Sequence, residues 1–168
     1  MRTIINSILR LVQFLLVLIA TGLLGNVRAN TQHATASATA AINFSIFVCA
    51  VAWIAVIYSI IAHIVSIVAV PIVALALDSL ATLFTFISAV VLSAKLTTAN
   101  CANWGSKPSN WIAFGSDDTE KRCREIQAGL VFIWFLFGTF AATLFFAFKE
   151  FRRSGGSVRG PSMSQIGV

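Results

Sequence analysis

Four apolar runs, each near the roughly 20 residues a helix needs to cross the hydrocarbon core of a bilayer, set what this chain can become. They extend from about Leu11 to Gly25, Ala41 to Ala62, Ser66 to Leu96 and Ile126 to Phe148, with Pro71 marking the start or a kink of the third helix. The first reaches back towards Ile4, with Asn6, Arg10 and Gln13 on one helical face. Period-two alternation is absent, which argues against a transmembrane barrel. Only 11% of the 168 residues are charged and 58% are hydrophobic, where a soluble domain carries about 25% charge. The pattern predicts an all-α membrane protein, an antiparallel four-transmembrane-helix bundle. Residues 1–151 form one membrane domain, and 152–168, rich in Gly and Ser, form a flexible basic tail. The first run has a second reading as a signal peptide. Arg2 and Arg10 would be its basic region and Val27-Arg28-Ala29 its cleavage site.

The net charge of +6 does not point to nucleic acid, because no soluble stretch interleaves aromatics with bases. Lys149, Arg152, Arg153 and Arg159 instead suit anionic lipid headgroups, worth about 1 kcal/mol per basic side chain near the surface. An even number of spans puts both chain ends on one side. Counting basic residues does not say which side, since the ends and the outer loops hold six each of the twelve. The cysteines are more informative. Cys101 and Cys123 bracket the long connection from Thr97 to Glu125, where a disulfide between them would persist only on a non-cytosolic face. That reading places the loop outside and both termini in the cytosol. The alternative is two free thiols in a cytosolic loop. Cys49, mid-span, reads as a packing residue.

Asp78 is the only acid in the first 116 positions, and a charge at bilayer depth costs roughly 2.5–3.5 kcal/mol on insertion scales. At about 100° per residue, Pro71, Ala74, Ala81, Thr82, Thr85, Ala89 and Ser93 share its face, with Leu75, Leu92 and Leu96 as bulky exceptions, while other large apolar side chains occupy the remaining sides. Small and hydroxylated side chains let helices approach and bond across the contact, so Asp78 is expected to point into the bundle or at a partner subunit. Its own state has two readings: a neutral hydrogen-bond donor, or a carboxylate paired with a base such as Arg10 or Lys149. Function divides likewise. Asp78 orients the bundle, binds a lipid headgroup or another subunit, or serves a proton or ion path in a small transporter or channel.

Other features are weaker. Ser116-Asp117-Asp118-Thr119-Glu120 looks like a capped helix start. Trp104 and Trp111 are suited to anchoring at the membrane interface. Gly138 and Ala142 form a small-xxx-small pair in the last span. His33 and His63 lack metal-ligand spacing, and no catalytic or phosphate-binding motif is present. An intramembrane aspartyl protease needs a second aspartate in the membrane. No enzyme, metal or cofactor is therefore expected. The sequon at Asn43-Phe44-Ser45 sits at the membrane edge.

The chain resembles the MARVEL-domain proteins and, within them, the fungal non-classical export protein family of the plasma membrane. The residues that carry the likeness are Asn30-Thr31-Gln32-His33, Leu77-Asp78-Ser79-Leu80 with Phe84-Thr85-Phe86, Cys101, Arg122-Cys123-Arg124 with Gln127-Ala128, and Ser164-Gln165. The resemblance implies a non-enzymatic organiser of plasma-membrane domains, associated with eisosome components, supporting their assembly and responding to sphingolipid status. Self-association as a homo-oligomer and contact with sphingolipid, sterol or anionic lipid fit that role. The family's name adds a link to unconventional secretion.

Overall fold

A computed structural model describes residues 2–65, 70–97, 100–103 and 105–153. They form four helices: α1 (Arg2–Ala29), α2 (Ala36–Ile64), α3 (Pro71–Leu96) and α4 (Thr119–Arg153). All four are long and apolar enough to cross a membrane. Each helix touches the next, and α4 closes back on α1, so α1 and α3 face each other across one diagonal of the bundle. The core is a column of small and branched side chains, among them Val17, Leu24, Ile42, Ala52, Ala81, Ala89, Leu92, Ile133 and Phe140. Large apolar side chains such as Leu15, Phe47, Leu83, Phe135 and Phe145 point outward, where lipid tails replace water as their solvent.

Every helix differs at its ends from the apolar runs, and the reason is local. α1 spans the whole segment from Arg2 to Ala29, and Val17, Ala20, Leu24 and Val27 are fully buried. The first run is thus a wall of the bundle and not a leader standing apart from it. α2 starts at Ala36, not near Ala41, because Thr35 caps it by accepting the Ala38 N–H at 3.4 Å and because alanine is the best helix former. α3 starts at Pro71, the start that the proline marks within its apolar run; residues 66–69 lie outside the described set. Proline is favoured there because the first helical N–H has no acceptor in any case. α4 starts at the expected acidic cap, where Asp118 Oδ1 accepts the Lys121 N–H at 2.9 Å. It runs on through Arg152 and Arg153, two residues assigned above to the tail.

Two packing expectations need correction. Gly138 is exposed, with open space around it, while Ala142 is half-buried. The close contact of α1 and α4 lies at Gly129 instead, where an added Cβ would sit 3.1 Å from Leu24 Cδ2. Trp111 is not a lipid anchor. It is buried, and its Nε1 donates to Leu96 O at 2.7 Å, meeting one of the carbonyls orphaned at the end of α3. Trp104 falls outside the described residues.

Candidate functional site

The expected polar face of α3 turns inward, rotated slightly from its predicted centre. Asp78, Ala81, Thr85 and Ala89 are buried, and Ala74 and Thr82 are half-buried. Ser93 is exposed and receives only a long bond, 3.4 Å, from Trp134 Nε1. Ser88 takes a place not assigned to it: it is buried and donates to Ser45 Oγ on α2 at 2.9 Å. At about 100° per residue, Ser88 lies about 80° to one side of Asp78 and Ser93 about 60° to the other. The buried arc, which also holds Leu92 and Leu96, is therefore centred on the Ser88 side.

Asp78 is not left alone in this arc. Arg10, on α1, donates from Nη1 to Asp78 Oδ1 at 2.8 Å and from Nη2 to Oδ2 at 2.5 Å. This is the fork-to-fork geometry that makes Arg–carboxylate pairs strong and directional. Asp78 is 1% exposed and the Arg10 side chain 13%. The same Nη1 also donates to Gln13 Oε1 at 2.9 Å, and Gln13 Nε2 donates to Thr143 Oγ1 on α4 at 3.2 Å. Thr143 in turn donates to Phe140 O at 3.0 Å. Three helices thus meet in one polar cluster. Its central bond crosses the α1–α3 diagonal, which no backbone contact spans among the described residues. Arginine suits that gap because its long stem carries a planar fork to the far wall. Asp78 lies about 10 Å along α3 from Pro71 and Arg10 about 12 Å along α1 from Arg2, at 1.5 Å per residue. The cluster occupies the end of the bundle that holds the N-terminus, the α2–α3 turn and the end of α4.

The opposite end is tied by different chemistry. Cys101 and Cys123 form a disulfide, with both residues buried, so they are not free thiols. The short α1–α2 turn is laced to the long loop: the N–H of Gln32 donates to Gly115 O at 2.9 Å, and Gln32 Nε2 to Asp117 Oδ2 at 3.0 Å. Gly115 has φ +103°, and a Cβ there would lie 2.5 Å from the backbone of Ala34. Gly115→Ala should therefore destabilise by about 2 kcal/mol or more, from the left-handed φ and the backbone clash together. Thermal unfolding in detergent, with amide exchange at residues 31–34, measures the loss and locates it.

Of the basic residues assigned to anionic lipid, Lys149 and Arg152 are exposed, and Arg152 lies over the Phe148 ring at 5.8 Å. The Arg153 side chain and all of Arg159 are outside the description. Asn43 sits within α2, where its Oδ1 accepts from Arg28 Nε at 2.9 Å. Cys49 is buried and unbonded to another cysteine. Among the described residues no three His, Cys, Asp or Glu side chains gather as metal ligands.

Four spanning helices from a single domain, with an inward polar face and little chain outside the bilayer, can be compared directly with known membrane modules. The membrane-associating (MARVEL) domain matches residues 3–146. The chain belongs to the MARVEL family. A curated relative, non-classical export protein 2 of Saccharomyces cerevisiae, is 32% identical over 175 aligned positions, covering 96% of this chain and 97% of the relative. Both matches place the chain among fungal MARVEL tetraspans, as the motifs around Asp78 and Cys123 suggested. No solved structure matches. For a MARVEL protein the site described above is built entirely inside the bundle, and this chain is a multi-pass membrane protein.

The sequence pointed to Asp78, with Arg10 and Lys149 as the two candidate bases to pair with it. It missed Gln13 and Thr143 as the rest of the cluster. Gln13 was visible on the Arg10 face; Thr143, three spans after α1 in chain order, carried no sequence signal of its partner.

Proposed function

We propose that the protein is a non-enzymatic organiser of plasma-membrane domains, acting through self-association or lipid binding at its intramembrane surfaces. The observation that carries this reading is the engagement of Asp78 by Arg10 on both carboxylate oxygens. A carboxylate held by both arms of a guanidinium is poorly placed to pass ions or protons, and well placed to fix how two helices cross. What the molecule then offers to its surroundings is its outer apolar faces and the basic end of α4. The MARVEL match and the name of the yeast relative support a membrane role without a reaction. Termini in the cytosol follow from a disulfide on the outer side, where oxidised cysteines persist. Eisosome assembly, a response to sphingolipid status and homo-oligomerisation complete the proposal.

Reconstitution separates this from a small transporter or channel using Asp78. Wild-type protein in proteoliposomes should carry neither protons nor solute in an Asp78-dependent way. Asp78→Asn should instead alter the oligomer distribution read by native mass measurement in lipid nanodiscs. Flux that disappears on Asp78→Asn would make the protein a transporter.

A further inference from the structure

Between His63 and Asp78 the sequence passes from α2 to α3 without a charged residue. This α2–α3 corner lies at the end of the bundle that holds the N-terminus, and cross-helix bonds set its level. Ser7 on α1 and His63 near the end of α2 are hydrogen-bonded at 3.2 Å, so the two are level. Gln13 and Thr143 are joined at 3.2 Å. Ser7 precedes Gln13 by as many residues as Lys149 follows Thr143, about 9 Å along two antiparallel helices. Ser7, His63 and Lys149 therefore mark one polar plane across the bundle. Ile64 and Val65 come after His63, at or beyond that plane, yet both are exposed, Ile64 to 78%. Ile61, Val70, Ile72 and Val73 are exposed too and extend the apolar surface around the corner.

Backbone groups at the corner are met from within the chain. The Tyr58 hydroxyl, on α2, accepts the Val70 N–H at 3.3 Å and donates to Val70 O at 3.4 Å. Val70 O also accepts the N–H groups of Val73 and Ala74, at 3.1 and 3.2 Å, in the first turn of α3. Pro71 has no N–H to leave unmet. At the end of α2 the Val65 N–H donates to Ile61 O at 2.8 Å. The start of α4, at the long loop, is capped instead by a carboxylate, that of Asp118. A helix start in water uses charged and polar side chains of that kind. One in lipid must find its partners inside the chain, because nothing around it can bond. The corner thus turns apolar side chains outward and keeps backbone polar groups inward.

A second copy is a poorer fit for this surface. The exposed side chains present roughly 500 Å² between them, short of the ~800 Å² per partner that a stable interface buries. Lys149 and Arg152, exposed at the end of α4, suit the headgroups of a lipid surface at the same level. We propose that the α2–α3 corner inserts into the phospholipid leaflet at this end of the bundle. Its apolar side chains lie among the acyl chains just below the headgroups, and Lys149 and Arg152 stand in the headgroup layer. α2 packs on α1 and α3, and among the described residues it does not touch α4, so α2 and α4 occupy opposite corners. The bundle is therefore tilted, with the α2–α3 corner sunk and the end of α4 raised. The corner sets how the outer faces are presented within the membrane, whether or not the protein organises domains.

The test uses the full chain, with Cys49→Ala to remove the free thiol, in nanodiscs of phosphatidylcholine and phosphatidylserine. Nitroxide labels on Ile64→Cys, Val70→Cys and Arg152→Cys are read by power-saturation EPR against oxygen, which concentrates in lipid, and a nickel chelate, which stays in water. Labels at 64 and 70 should lie about 5–10 Å below the headgroup boundary, and the label at 152 above it. Ile64→Asp should raise the label at 70 by most of that depth. Ile64 is exposed and takes no part in the Tyr58–Val70 bonds, so the fold is kept. Nickel access at 64 and 70 equal to that at 152 would put the corner in water and overturn the proposal. Labels there shielded from both reagents would overturn it in favour of a second copy or another protein on this surface. A label at 70 that Ile64→Asp leaves at its original depth would also overturn it, since the apolar surface would not be what draws the corner in.

Discussion

Arg10→Met should lower stability by about 3–5 kcal/mol, the usual loss when one partner of a buried ion pair is removed and the other is stranded. Asp78→Leu should cost less, and the two together should cost least. The asymmetry follows from side-chain length. With Asp78 gone, Arg10 keeps Gln13 as an acceptor at 2.9 Å, and its long stem can carry the guanidinium towards the nearby membrane surface. With Arg10 gone, Asp78 is 1% exposed on a short stem, and no other base contacts it among the described residues. Replacing both charges by apolar groups of similar volume removes the desolvation problem itself, and such replacements are often neutral. Recovery should fall short by about 1 kcal/mol, because Gln13 Oε1 loses its donor. Thermal unfolding of the three variants in one detergent, treated as a double-mutant cycle, reads the coupling directly. Additive losses would mean that the pair contributes nothing as a pair.

The second large effect belongs to the other end of the bundle. Replacing Cys101 and Cys123 together by Ser should cost about 3 kcal/mol in the chain-entropy account of a loop of this length, here with a sequence separation of 22. The loss should be concentrated outside the membrane. The bond holds the loop against the start of α4, where Trp111 caps α3 and Arg122 fastens α1. The variant should therefore keep its four spans but lose protection in the loop. A lower unfolding temperature with new amide exchange at residues 101–118 is the expected pair of observations. Unchanged exchange in the loop would show that packing around Ile112 and Ala113, both fully buried, holds it without the bond.

How much of this was legible follows from what each feature depends on. The four spans were visible because hydropathy is local and a membrane demands about 20 apolar residues at a time. Two of their starts were legible as well, from Pro71 and from the acidic cap that holds Asp118; the start of α2 was not, because Thr35 begins that helix through a cap that apolar counting ignores. The inward face of α3 was legible from its period, and the disulfide from its place at the two ends of one loop. The partner of Asp78 was only half legible. Arg10 lies 68 residues away in the chain, and choosing it over Lys149 required knowing that α1 and α3 face each other diagonally. Gly129 was passed over for Gly138 because a spacing motif does not say which face a glycine occupies. Arg122 stood in plain sight as one base in a charged cluster, with nothing in the chain to mark it as buried.

The central claim is that the one intramembrane carboxylate holds the bundle together and does no transport. Fluorescence imaging of the tagged protein in fungal cells, comparing Asp78→Leu with Arg10→Met/Asp78→Leu, tests this most directly. If the pair is architectural, the single variant disperses or fails to accumulate, and the double variant returns to discrete plasma-membrane domains. A double variant that folds and reaches the membrane yet stays dispersed would contradict it, because the charges themselves would then be needed for function.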